Sequence, residues 1–509
     1  MSIRSIAVIL LLLVLGGRAG AQTFSIQRVE VDGNTVLPEP TVRQAVAELE
    51  GKPVTLADLQ RVAGALRAVY EKEGYFLVRV QVPTQTLADG VVRLKVVEGR
   101  VGKLRVEGNE HYSEELIRSY LQPLLEEKVA RLDTLHRGLL LLKDLMNLQV
   151  ESFVEPGTEP GTADLIIKAK DSLPFEVGLS YDNFGNRFTG EHRFTVAPHA
   201  GNLFGHGESL YVATVVPFPS VEFQPYLLAA LQVPVNRDGT KVGASYANGA
   251  FTVGGDLGVL DIRGRADLYS LFATHALVRA EHEKGDLLLA LNSKTYDNTI
   301  LGAPSSHDEI RSLSFGYRGE WTGEETRDLA FVALTQGLGQ LLGGTPNGSP
   351  TASRPGAGNS FTRLNLDYAH VQSLGHPFLV LRAGGQVASN PLVVGEQFSL
   401  GGPDSVRGYN QSEFLGDAGY ATSVELRVPL PDPDSHFQLA CFVDHGTEWL
   451  YEPLPGEFPQ RSLTGAGLGF RWEVAEKTHL RFDLGFPLSP SFNSTGESPK
   501  LYGQFETRF

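Results

Sequence analysis

Leu501-Tyr502-Gly503-Gln504-Phe505-Glu506-Thr507-Arg508-Phe509 closes the chain, and its two faces differ. In an extended backbone Leu501, Gly503, Phe505, Thr507 and Phe509 share one side, while Tyr502, Gln504, Glu506 and Arg508 share the other. Period-two alternation marks a strand with one apolar and one polar side. A soluble sheet turns its charge outward. A strand whose polar side lines an aqueous interior and whose apolar side meets hydrocarbon belongs to a transmembrane barrel. A terminal aromatic such as Phe509 suits the lipid–water boundary.

Upstream the alternation recurs. Phe175, Val177, Leu179 and Tyr181 oppose Glu176, Gly178, Ser180 and Asp182, with similar runs at Asp286–Lys294, Phe361–His370, Ser423–Val428, Phe437–Asp444 and His479–Phe486. Residues 172–509 are therefore expected to close a transmembrane antiparallel β-barrel of about 16 strands, apolar outside and hydrophilic within. A soluble sandwich or propeller fits poorly, because the parity is inverted and no blade-length repeat appears. The net charge of −15 and mean hydropathy of −0.10 are compatible with a barrel, in which only alternate residues need be apolar. That acidic balance argues against a nucleic-acid partner. The single cysteine, Cys441, cannot form an internal disulfide and reads as a small hydrophobe facing lipid or packed. The Gly-, Pro-, Ser- and Thr-rich insert from Gly343 to Ser360 falls between the ninth and tenth strands by count, which makes it an outer-surface loop.

The opposite end of the chain carries Arg4, an apolar run from Ile6 to Leu15, and Ala19-Gly20-Ala21 before Gln22. Residues 1–21 read as an export signal, their run too short for the roughly 20 residues of a spanning helix. Between signal and barrel one plan occurs twice. The first unit, within residues 22–99, has a strand at Ile26–Val31 and helices near Pro40–Leu49 and Leu56–Lys72. Strands Val78–Val82 and Val91–Val97 complete it. Thr55 and Asp58 resemble a capping box, Leu59, Val62, Ala63, Leu66, Val69 and Tyr70 form an apolar stripe, and Gly74 stops the helix. The second unit, residues 100–171, repeats the order with helices near Ser113–Leu121 and Leu132–Leu145 and strands Val150–Val154 and Ala163–Ala169. A β-α-α-β-β unit leaves a sheet edge open, and such an edge accepts an extended peptide as an added strand.

Leu400-Gly401-Gly402-Pro403-Asp404-Ser405-Val406-Arg407-Gly408-Tyr409 lies in the long connection before the strand at Tyr420–Leu430. Its glycines and proline define a tight turn that presents Arg407. An arginine folded back into a barrel needs an acidic partner. Asp444 is the natural candidate, since it shares a face with Gln438 and Phe442, opposite Leu439, Cys441 and Val443.

With these residues the chain resembles the two-partner secretion transporters of Gram-negative outer membranes, within the superfamily of POTRA-containing barrels. Val406, Arg407, Gly408 and Tyr409 match the superfamily's lumenal-loop motif, and Phe442 and Asp444 match its Phe-x-Asp motif on strand thirteen. Tyr70–Tyr75, Val82-Pro83-Thr84-Gln85 and Val96-Val97-Glu98-Gly99 resemble the family's first POTRA domain. Asp182-Asn183-Phe184-Gly185-Asn186 with Thr189-Gly190 resembles its first hairpin, and Gly201-Asn202-Leu203-Phe204-Gly205 its next turn. The resemblance implies that Arg407 and Asp444 pair across the lumen and that both N-terminal units are periplasmic POTRA domains. It implies a transporter that captures one large, unfolded secreted partner, adhesin- or haemolysin-like, and passes it through the lumen. Lipid surrounds the barrel, and a monomer is expected. Assembly of other barrels is the alternative, and a passive porin leaves the POTRA units without purpose. Many family members plug the pore with an N-terminal helix. Cleavage after Ala21 leaves little room for one, so the Arg407 loop is expected to be the main obstruction.

Enzyme chemistry finds no footing. The 13 histidines include no His-Glu-x-x-His pair, and neither a Gly-x-Ser-x-Gly elbow nor a Gly-Lys-Ser/Thr phosphate loop occurs. No cofactor, metal or nucleic acid is expected. The glycines of Gly465-Ala466-Gly467-Leu468-Gly469 read as close strand packing.

Overall fold

The computed structural model describes residues 23–85, 90–430, 436–490 and 499–509; the expected export signal, residues 1–21, lies outside them. By packing, the chain divides into two compact units. One holds residues up to 107 with 121–135 and 151–168, and the other holds 108–120, 136–150 and 169–509.

In the first unit Arg28–Asp32, Val91–Glu98 and Val78–Gln81 form a sheet in that order, parallel on one side of Val91–Glu98 and antiparallel on the other. The helix Leu56–Lys72 begins on its capping box, where the Asp58 amide donates to Thr55 Oγ1 at 3.3 Å and the Thr55 amide donates to Asp58 Oδ2 at 2.9 Å. Two amides that the first turn cannot satisfy are thereby paired. Leu59, Val62, Leu66 and Tyr70 bury against Val92, Leu94 and Val96 of the sheet. The helix stops where Gly74 takes a φ of 88°.

The plan repeats as Arg100–Glu107, Glu114–Glu126, Leu132–Lys143, Leu148–Pro156 and Thr162–Asp171, the last strand lying between the other two. One predicted boundary is corrected. The helix expected to end at Leu121 runs through Pro123 to Glu126. Fully buried Leu124 extends the stripe of Ile117, Tyr120 and Leu121, which outweighs the one amide bond the proline removes. Asp171 closes the last strand, its carboxylate accepting the amides of Glu110, His111 and Tyr112, each at 2.9 Å. Burial opposes the charge of Asp171, but these donors prevail and hold the carboxyl below its ordinary range.

Sixteen strands close the barrel, the last (Lys500–Arg508) pairing antiparallel with the first (Phe175–Asp182) from Gln504–Asp182 to Arg508–Gly178. Leu271, Phe315, Leu439, Val443, Leu468 and Leu501 stand more than half exposed on the outer surface, and Cys441 is exposed on the same face. Strands six to eight, Arg263–Arg279, Glu283–Ile300 and Ala303–Thr322, are 17, 18 and 20 residues long, beyond the roughly 9–11 that cross a bilayer. Among the described residues no helix is long and apolar enough to span a membrane.

The hydrophilic lumen expected from parity is interrupted by one apolar rung on strands three to six. The inward rung Ala213–Leu228–Ala247–Leu268 is apolar and reaches charge only at Lys294 on strand seven. With Tyr226 and Phe251 these residues line a cavity of about 680 Å³. At one end of the barrel the second unit includes its own brace. Arg279 pairs with Asp144 at 2.8 Å and Asp286 at 2.7 Å, and Arg137 donates to the carbonyls of Asp238 at 2.8 Å and Ala276 at 2.6 Å.

The insert of residues 343–360 does lie between strands nine (Thr326–Gly337) and ten (Thr362–Ser373). The insert is folded. Buried Asn359 accepts the Arg311 amide at 3.1 Å and donates to the carbonyls of Arg311 at 3.0 Å and Gly339 at 2.7 Å. Ala357 and Phe361 join Ile310, Ala388, Leu392 and Val393 in a small apolar cluster.

Candidate functional site

Between strands eleven (Phe378–Ala388) and twelve (Ala418–Pro429) the chain turns back into the lumen. A short ladder of Phe398–Leu400 with Phe414–Gly416 forms the neck of this loop. Leu400, Val406, Tyr409, Phe414 and Leu463 bury together beneath it. Beyond the neck, Arg407 is 2% exposed.

Its guanidinium binds Asp444 as a fork, with Nε 2.7 Å from Oδ2 and Nη2 2.9 Å from Oδ1, while the Arg407 amide donates to Oδ2 at 3.0 Å. Nη1 donates to Glu425 at 2.6 Å and to Asp483 at 3.4 Å, and Nη2 donates to Ser423 at 3.1 Å. The Phe442 ring lies face-on, its centroid 3.3 Å from Cζ. Bidentate pairing, a third carboxylate and an aromatic face all suit a planar cation withdrawn from water. Surrounding arginines balance the acids: Arg471 reaches Asp483 at 2.7 Å and Glu425 at 3.2 Å, Arg427 reaches Glu425 at 2.7 Å, and Arg481 reaches Asp483 at 2.7 Å.

Backbone contacts hold the rest of the tip. The Tyr502 hydroxyl accepts the Gly408 amide at 3.0 Å and donates to the Tyr409 carbonyl. The Tyr409 hydroxyl meets the Thr464 carbonyl and the Ser489 amide, each at 2.8 Å. Strand fourteen (Gln460–Ala475) has glycines beneath the Arg407 backbone and the Phe442 ring: a Cβ on Gly465 would sit 1.9 Å from the Arg407 carbonyl oxygen, and one on Gly467 2.4 Å from the Phe442 ring. Gly467 packs strand on strand as expected, its Cβ position lying 2.1 Å from the Leu484 carbonyl oxygen of the neighbouring strand, whereas Gly465 vacates the wall for the loop. Gly408 itself has a φ of 104°, a conformation other residues rarely adopt.

All six residues singled out from sequence meet here: Val406, Arg407, Gly408 and Tyr409 on the loop, Phe442 and Asp444 on the wall. Glu425, Asp483, Tyr502 and Gly465 were not singled out. Their signal was parity, since rungs Ser423–Asp444–Gly465, Glu425–Phe442–Gly467–Gly485 and Arg427–Ala440–Gly469–Asp483–Tyr502 follow one another along the inner wall. The arrangement can clamp a loop or release it. Among the described residues no group of acids, histidines and cysteine has metal-binding geometry.

The first hairpin adjoins this cluster. The Asn183 side chain accepts the Gly503 amide at 2.7 Å and donates to the Leu501 carbonyl at 2.8 Å, extending the ladder where first and last strands meet. The Phe184 ring stands edge-on to Tyr502, with centroids 6.3 Å apart.

Residues 161–472 match the family described as haemolysin secretion/activation protein ShlB/FhaC/HecB, and residues 24–99 match the POTRA domain, ShlB-type. The heme/hemopexin transporter protein HuxB of Haemophilus influenzae is 24% identical over 82% of this chain and 76% of its own length. The outer membrane transporter CdiB of Dickeya dadantii is 24% identical over 92% of this chain and 83% of its own. The solved structure of CdiB from Escherichia coli shares the fold, with a TM-score of 0.79 at 20% identity, covering 97% of this chain and 92% of that one.

Proposed function

The chain belongs to the haemolysin secretion/activation protein family, and from that membership we propose that it exports one large secreted partner, adhesin- or haemolysin-like, through its lumen. It is an outer-membrane β-barrel transporter whose N-terminal POTRA domain lies in the periplasm. The domains are an export signal at 1–21, POTRA domains at 22–99 and 100–171, and the barrel at 172–509. The open sheet edges Val78–Gln81 and Leu148–Pro156 capture extended partner segments by strand addition. The unfolded chain then threads the lumen past the Arg407 loop, with Val406, Arg407, Gly408 and Tyr409 as the loop motif and Phe442 and Asp444 as its seat. Folding of the partner outside biases the direction of travel, because a folded domain cannot slip back. The protein performs no chemistry on its cargo and acts as a monomer in lipid.

The observation that carries this reading is the docked Arg407 loop, a buried ionic clamp inside a closed sixteen-strand barrel. Deleting the gene tests it. Surface delivery of one partner should vanish while other barrel proteins stay at normal levels. A joint fall of many barrel proteins would favour an assembly factor instead.

A further inference from the structure

We propose that residues 343–360 form a lid over the outer mouth of the pore, latched shut by Arg354. The inference rests on the export reading, since a lid matters only to a lumen through which something passes.

The lid is fixed at its base and fastened at its tip. At the base, Thr345 donates its amide to the Glu309 carbonyl at 2.8 Å and accepts the Glu309 amide at 2.7 Å. At the tip, the Ser353 amide donates to Asp308 on strand eight at 3.0 Å, and Ser353 Oγ accepts the amide of Val394, on the arginine loop's own connection, at 3.1 Å. Arg354, 6% exposed, donates to the carbonyl of Tyr451 between strands thirteen and fourteen at 2.7 Å. Its guanidinium stands 3.8 Å from the carboxylates of Asp417 and Glu457. Fully buried Asp417 accepts the amides of Leu392 and Tyr451, each at 2.7 Å. Three successive outer connections are thus braced at one arginine. Ser353, Val394 and Gly395 line the same 680 Å³ lumen cavity as the apolar wall, so the lid roofs the open part of the pore.

The latch is weaker than the clamp below it. Arg407 is forked onto a carboxylate and backed by a second, whereas Arg354 makes one hydrogen bond and two long ion pairs. Asp308 Oδ2, on the strand that seats the tip, is buried without a hydrogen-bond partner. A closed lid leaves that atom desolvated and unpaired, and lifting the lid returns it to water. Opening breaks the Ser353 and Arg354 contacts, and the water regained at Asp308 Oδ2 offsets part of that cost.

The test uses full-length protein with Cys441→Ser, carrying Ser353→Cys and Val394→Cys. Bilayer conductance and partner export are read oxidised and reduced. The lid predicts low conductance and no export until the bridge is reduced, and Arg354→Ala without the cysteines should raise the open fraction about tenfold. Conductance and export that are the same in both redox states overturn the lid, even if Arg354→Ala fails to assemble. Redox-dependent conductance with no export in either state supports the lid and overturns the export reading instead.

Discussion

Strands twelve to sixteen and strands three to six enclose the same lumen, yet they present opposite chemistry to it. One wall carries Glu425, Asp444, Arg471, Arg481 and Asp483, all at least largely buried beneath the loop. The other offers the rung Ala213–Leu228–Ala247–Leu268 to an open cavity. Facing inward is therefore not one environment. A wall that must hold a loop needs strong, specific, desolvated contacts, and only paired charges and aligned amides supply them. A wall that must let an unfolded chain slide needs surfaces that bind nothing in particular.

The largest break in this contrast comes from Arg407→Ala, which leaves three buried carboxylates around a missing cation. Removing one member of a buried ion cluster costs about 3–5 kcal/mol. The loop should undock, residues 401–413 should become protease-sensitive, and export should fall at least tenfold while the barrel remains in the membrane. Wild-type export would remove Arg407 from the mechanism. Gly465→Ala should act in the same direction with less force, up to about 3 kcal/mol, because its Cβ would sit 1.9 Å from the Arg407 carbonyl and push the whole tip. A docked loop in that variant would show that the wall gives way. Tyr502→Phe leaves the Gly408 amide and the Tyr409 carbonyl without their hydroxyl, at a cost of about 1–2 kcal/mol. Partial protease sensitivity, between wild type and Gly465→Ala, is the expected reading.

Much of this was legible in the chain because period-two alternation is local. Strand count, the place of the loop and the inward aim of Asp444 all follow from residues two apart. What escaped depends on register between strands. Nothing near Glu425 or Asp483 in sequence says that both lie beside Asp444; the stagger of four neighbouring strands brings them together. Gly465 was visible as a glycine, but not as the floor beneath a particular carbonyl. The lid escaped for a different reason, since Asn359 and small residues hold it and no hydrophobic run announces it.

Two buried aspartates sharpen the comparison at smaller amplitude. Asp444 is held by a guanidinium, whereas Asp171 is held by three backbone amides and its carboxyl is depressed despite burial. A depressed carboxyl contributes stability above its unfolded value of about 3.9, and that stability is lost as pH falls through the lower folded value. Among the described residues every α-helix lies in the two N-terminal repeats, so the helical circular-dichroism signal isolates them from the barrel. Acidification below about pH 4 should lower its melting temperature, and Asp171→Asn should flatten that slope. An unchanged slope would mean that the three amides do not govern the acid limb.

The smallest effect should come from the apolar wall itself. Leu228 is 38% exposed, so Leu228→Ser gives up only part of a buried side chain's worth, about 1 kcal/mol. The new hydroxyl meets water in the cavity and needs no protein partner, so no desolvation cost follows. Barrel melting and membrane insertion should change little, and export should stay within about twofold of wild type, since 1 kcal/mol in a non-gating contact shifts populations modestly. An export loss as deep as that of Arg407→Ala, with the barrel intact, would mean that this wall grips the passing chain through its apolar side chains. Both walls would then be binding surfaces, one for the loop and one for the cargo, and the division between a holding wall and a sliding wall would fail.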